Sequence, residues 1–242
     1  MFRFPTSFDE LRFRVRGFWN RSLTNRLIVV CTLVWAAQEA GLFCAPALTL
    51  NPVWMRSGFW LNFLAHGFLH GGFWHIALNM LALYFAGNAV ERYDTRGNAL
   101  AVFLGGIAAG GLCWFAAVSA LAPEPGTQTL VGASAGIAAL FAYFSVANRG
   151  AEIRALLFFV LPVQMRAWAL FAVLVGISLL GFVFFEIPTL RGAVPADAEQ
   201  QTAALQTVAH SAHLGGALFG AVYALARERL NAFRGNTFRF RR

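Results

Sequence analysis

Ser134, in the stretch LVGASAGIAAL, and five histidines, His66, His70, His75, His210 and His213, are the residues whose types could carry out covalent chemistry. A serine hydroxyl becomes a useful nucleophile only when a base takes its proton, and imidazole is the commonest base. The stretch admits three readings. It matches a G-x-S-x-G nucleophile elbow. It also spells a small-xxx-small packing face from Gly132 to Gly136, which needs no chemistry. Or it holds an intramembrane serine whose base arrives from elsewhere in the chain.

The elements that must position these residues are membrane spans. Of 242 residues, 58% are hydrophobic and only 12% charged, against about 25% charged in a soluble domain. All 19 basic residues are arginine, and the net charge is +8. They punctuate the ends of apolar segments instead of forming one basic face, so they read as topology signals and not as a nucleic-acid surface. Cys31, Cys44 and Cys113 lack C-x-x-C spacing and read as small packing residues.

Six apolar stretches are expected to be spans: Arg26–Pro46, His70–Val90, Asn98–Leu121, Val131–Asn148, Ala167–Phe185 and Thr207–Ala226. Most approach the roughly 20 residues that cross about 30 Å of hydrocarbon. Ile153–Arg166 is expected at the interface before the fifth. With the N-terminus inside, 17 of the 19 arginines are cytoplasmic and only Arg56 and Arg191 lie outside, which is the positive-inside pattern for an even number of spans. The expected fold is therefore an all-α, polytopic bundle. Its organisation is a cytoplasmic Arg-rich segment over 1–25, a six-span membrane domain over 26–226 and a cytoplasmic Arg-rich tail over 227–242. An aromatic first outer loop, with Trp54, Phe59, Trp60 and Phe63, is expected to rest in the membrane interface. The last outer loop, EIPTLRGAVPADAEQQTAALQ, reads as a flexible lid or an idle connector.

Depth brings the polar residues together. Ser134 lies 15 residues before Arg149, His213 14 before Arg227, and His75 16 before Glu91. These separations put all three roughly 21–24 Å above the inner face, at about 1.5 Å per residue. Asn79 is one turn deeper than His75 on the same face. Polar groups at such depth are costly and read as functional. The sensible assignment is Ser134 as nucleophile and His213 as base, with His75, Asn79 and the Ser134 amide as oxyanion donors. No Asp or Glu is expected at this level; Glu39 on the first span is the nearest intramembrane carboxylate, so the base works in a dyad. The elbow reading fails because the serine opens an apolar span with no strand before it. The packing reading survives as a complement: Gly132/Gly136 and Gly216/Gly220 are both G-x-x-x-G pairs that would bring the fourth and sixth spans close.

These blocks resemble the rhomboid family of intramembrane serine proteases. HGGFWHIALN at His70–Asn79, GASAG at Gly132–Gly136 and AHLGGALFG at Ala212–Gly220 fall in the family's order, and AVERYDTRG after the second span is also typical. The resemblance implies a six-helix bundle with a cavity open to the outside, Ser134 as nucleophile, His213 as base and His75 with Asn79 as oxyanion donors. It implies a structural role for His70, tying down the first loop. Expected partners are the lipid bilayer and single-span membrane protein substrates, cut near a helix-destabilised stretch, with no cofactor. The sequence departs from the family's pattern in three places. Trp60 is followed by Leu61 where the family has arginine, Ala135 stands where glycine is frequent, and Ala138 replaces the aromatic residue on which the base stacks. Two rivals stand beside this reading. One is a pseudoprotease of the same fold that binds membrane clients. The other is a metal or haem protein ligated by the gathered histidines. No oligomeric state is specified by the sequence, and a bacterial inner membrane is the expected location.

Overall fold

The computed structural model describes residues 22–157, 161–192 and 208–233. They form a helical bundle with helices α1 (Leu23–Glu39), α2 (Phe73–Tyr93), α3 (Arg96–Leu121), α4 (Ser134–Ala147), α5 (Ala167–Gly181) and α6 (His210–Phe233). Three helices in the described residues are long and apolar enough to cross a membrane: α2, α3 and α5 with its continuation to Leu190. The shorter α4 is enclosed by its neighbours, and most of its residues are buried.

The starts of the helices follow local chemistry. Ser22 caps α1 by accepting from the Asn25 amide at 3.3 Å, and Glu91 on α2 accepts from the Leu23 and Thr24 amides at 3.0 and 2.6 Å. Thr95 caps α3 through the Asn98 amide. Such caps satisfy amides that a helix leaves without internal partners. At the opposite end of α2 from Phe73, the buried Asp94 gathers three elements. It meets Arg227 of α6 and the Tyr143 hydroxyl of α4, and accepts from Asn98 of α3 at 2.8 Å. The C-terminal ends of α2, α4 and α6 therefore lie together, and their N-terminal ends, which carry His75, Ser134 and His213, face the other way.

Several boundaries differ from the sequence reading. The fifth span does not stop at Phe185: a π-helical turn, Phe182–Glu186, and a further turn, Ile187–Leu190, carry it on. Glu186 therefore belongs to the helix and not to the outer loop, and residues 193–207 of that loop lie outside the described residues. The sixth helix runs to Phe233, past Arg227, because that arginine is paired with Asp94 inside the bundle. Ile153–Arg166 is mostly a β-hairpin, β1 (Glu152–Leu157) against β2 (Leu161–Arg166), with Glu152 opposite Arg166 and Leu157 opposite Leu161. Helix α1 begins at Leu23 and ends at Glu39, and short helical turns fill the loop beyond it.

The packing face also differs. Gly216 and Gly220 do seat α6 on α4, but the surface they meet is Ala135 and Ala139, whose backbone any added Cβ would strike. Gly136 instead faces Phe103 and Ile107 of α3. Gly132 precedes the helix at φ +119°, so the Gly132–Gly136 spacing is not a helical face at all. Gly110 of α3 completes the junction, in contact distance of the Ala135 side chain and the Ala212 carbonyl.

Candidate active site

Ser134 is the first residue of α4. The segment entering it is held by the first outer loop: Leu130 and Leu50 exchange backbone hydrogen bonds at 3.1 and 2.9 Å, and the Gly132 amide donates to the His66 carbonyl at 2.9 Å. An ideal Cβ on Gly132 would lie 2.8 Å from Cε1 and Nε2 of His75 and 3.8 Å from Nδ2 of Asn79. Only glycine fits this gap in this backbone conformation. The His75 ring and the Asn79 amide thus stand beside the residue two before Ser134.

The orientation of His75 is set by its other nitrogen. Nδ1 accepts from the Gly71 amide at 3.2 Å, which places the ring proton on Nε2, the edge that faces Gly132. Asn79, a turn along α2, is buried. His70 is fully buried, its ring edge-on to His75 at 5.3 Å between centroids. Its backbone is clamped by Gln38 of α1, which donates to the His70 carbonyl at 2.7 Å and accepts from the His70 amide at 3.3 Å. His66 donates through Nδ1–H to the Asn62 carbonyl, 2.8 Å away. Burial pushes both loop imidazoles down to about 4, His70 with a further contribution from His75, so they are neutral near pH 7.

His213 lies on the face of α6 that continues through Gly216 and Gly220, at i, i+3 and i+7. That face lies on α4 at Ala135, the residue after Ser134. His213 is also within electrostatic reach of His75. Ser134, His213, His75 and Asn79 therefore come from the N-terminal ends of three adjacent helices at one end of the bundle. Among the described residues, neither the Ser134 hydroxyl nor the His213 ring engages in a hydrogen bond. The ring that meets His213 edge-on is His210, at 6.1 Å between centroids.

One expectation is overturned. A carboxylate does lie at this level, and it is Glu186, not Glu39: its oxygens accept from the Ser211 amide and hydroxyl at 2.7 and 2.5 Å, two residues from His213. A lone acidic residue in the apolar run GFVFFEIPTL was the available signal. Among the described residues no three His, Cys, Asp or Glu side chains are grouped to hold a metal ion.

Comparison with known proteins agrees with this architecture. The Rhomboid domain family model matches residues 57–229. The chain is also 26% identical over 192 residues to Rhomboid protein 1, mitochondrial, of Saccharomyces cerevisiae, covering 78% of this chain and 48% of that protein. The chain thus spans about half the length of the curated relative it matches. It belongs to the rhomboid family and is an integral membrane protein with a helical polytopic bundle. Membership supports a function of the intramembrane protease type.

Proposed function

We propose that the protein is an intramembrane serine endopeptidase that cuts single-span membrane proteins with a Ser134–His213 dyad. The observation that carries this reading is the seating of α6 on α4 at Gly216 and Ala135, which sets the His213 face against the helix that Ser134 opens. Catalytic hydrogen bonds between hydroxyl and imidazole commonly tighten only when substrate binds.

In the proposed reaction His213 takes the proton of Ser134 as Oγ attacks the scissile carbonyl carbon. The carbonyl π electrons move to oxygen, and the resulting oxyanion accepts from three donors. His75 supplies Nε2–H, the nitrogen left protonated by the Gly71 contact, and Asn79 supplies its side-chain amide. Ser134 supplies its own backbone N–H, one of the amides that the start of α4 leaves without an internal acceptor. The same helix end favours negative charge. Collapse of the intermediate expels the amine, which takes the proton from His213 and leaves an acyl-serine. Water then repeats the sequence, with His213 as base, and releases the carboxylate product. No metal or organic cofactor takes part in these steps.

The distribution of arginines supports cytoplasmic termini, and the exclusively arginine basic set favours a bacterial inner membrane as the place of residence. The distribution also supports division of the chain into an N-terminal segment, a membrane domain and a tail, with the bounds 26 and 226 of the membrane domain widened by α1, which begins at Leu23, and by α6, which continues to Phe233. The test is cleavage of a model single-span substrate by purified protein in detergent. Ser134→Ala is expected to abolish cleavage with the melting temperature unchanged. Undiminished cleavage by that variant would remove the mechanism, and no cleavage by wild type across several substrates would favour the client-binding pseudoprotease.

A further inference from the structure

A buried carboxylate that the proposed chemistry does not use lies within one helical turn of His213. Glu186 is 5% exposed and ends the π-helical turn of α5. It accepts from the Ser211 amide at 2.7 Å and the Ser211 hydroxyl at 2.5 Å, while the His210 amide, which donates to the Val208 carbonyl at 3.0 Å, also lies near the carboxylate. These are the first two amides of α6, which have no acceptor within the helix. A capping side chain ordinarily serves them, but the preceding residue is Ala209, which has none. Helix α5 therefore supplies the cap that α6 lacks, and supplies it as an acidic group, the type favoured at a helix N-terminus.

A second contact fixes the rotation of the same helix end. The His210 ring lies on Gly181, where any side chain would collide with it, and meets His213 edge-on. Gly181 and Glu186 are five residues apart, about 140° around a regular α-helix. The wider π-helical turn between them narrows that angle, so that both can face α6. The rest of α5 is lightly held: 11% of its most apolar stretch is buried. Its polar attachment to the bundle is thus concentrated next to the proposed base.

We propose that Glu186 is a positioning residue for His213: by capping α6 from α5, it sets the height and rotation at which the imidazole is presented to Ser134. The inference rests on the dyad reading above, and His213 remains the group that moves the proton.

The test measures kcat and KM separately for a single-span substrate, alongside melting temperature, for wild type, Ser211→Ala, Glu186→Gln and Glu186→Leu. Misplacement by a fraction of an ångström costs rate and not substrate affinity, so Ser211→Ala should lower kcat about fivefold with KM within about twofold of wild type. Glu186→Leu, which removes the acceptor altogether, should lower kcat by more than about tenfold. Glu186→Gln keeps an acceptor for the amide and a donor for the hydroxyl, and should stay within about threefold of wild type. A loss below about threefold in Ser211→Ala overturns the proposal, whether or not Glu186→Leu folds. A tenfold loss in Glu186→Gln also overturns it, because charge and not placement would then be the active property. If wild type itself does not cleave, the dyad reading fails first and takes this inference with it. If wild type cleaves and these variants match it, the positioning role alone is wrong.

Discussion

Gly216→Ala is expected to separate the proposed catalytic pair without touching either member. The added methyl group would sit 2.8 Å from the carbonyl carbon and 3.1 Å from Cα of Ala135, and closer still to the carbonyl oxygen. Carbon atoms in contact prefer about 3.5–4.0 Å, so α6 must withdraw from α4 by on the order of 1 Å. Both sides of this contact are backbone, which cannot move aside as a flexible side chain would. Overpacking of that kind costs about 1–3 kcal/mol of stability. The effect on rate should be larger, because a 1 Å misplacement of reacting groups can cost about 10²-fold. The assay is turnover of a single-span substrate in detergent, normalised to folded protein by thermal melting. Gly176→Ala on α5 is the control, since an added Cβ there meets nothing within 4 Å. If Gly216→Ala cleaves within threefold of wild type, close approach of α4 and α6 does not hold the two groups in place, and the geometry has been misread.

Further outcomes are expected. Asn79→Ala should lower turnover by about 10²–10³ if its amide is an oxyanion donor, and a loss below a few-fold would remove it from that role. Asp94→Ala strands Arg227 in the bundle and should cost about 3–5 kcal/mol in detergent unfolding, with turnover per folded molecule preserved; a small shift in melting would mean that the cluster is solvated. His66 and His70 are held neutral by burial, down to about 4 from 6.5. The unfolded chain takes up protons below pH 6.5 that the folded loop refuses, so the melting temperature should fall as pH drops from 6.5 toward 4. A flat profile over that range would contradict the burial of those rings. A chelator should leave cleavage unchanged; loss of activity restored by added metal would favour the histidine-ligated metal reading.

Much of the bundle was legible because membrane solvation leaves a coarse signal. Runs of apolar residues bounded by arginines locate α2, α3 and α4 to within a few residues, and Ser134, which opens an apolar run in the sequence, opens the helix in the fold. The convergence of α2, α4 and α6 at one end also followed from counting residues between polar landmarks. Other features depend on partners that spacing does not reveal. Arg227 reads as the inner boundary of the sixth span, but its pairing with Asp94 lets the helix continue to Phe233. The Gly132–Gly136 spacing imitated a helical packing face, yet Gly132 serves a positive-φ turn against His75, and alanines provide the surface that α6 meets. Glu186 opens the polar, Ala/Pro-rich stretch that reads as an outer loop, yet a π-helical turn carries the helix through that point. Gln38, a single amide near the end of α1, holds the backbone of His70 by two hydrogen bonds from 32 residues away.

The central claim is that Ser134 is a nucleophile activated by His213. Its most direct test is reaction of the purified protein with a fluorophosphonate, which bonds preferentially to an activated serine, with the modified residue located by mass spectrometry. The expected result is a single adduct on Ser134 in wild type and none in His213→Ala. Equal labelling of both proteins, or an adduct on any other serine, would contradict the claim.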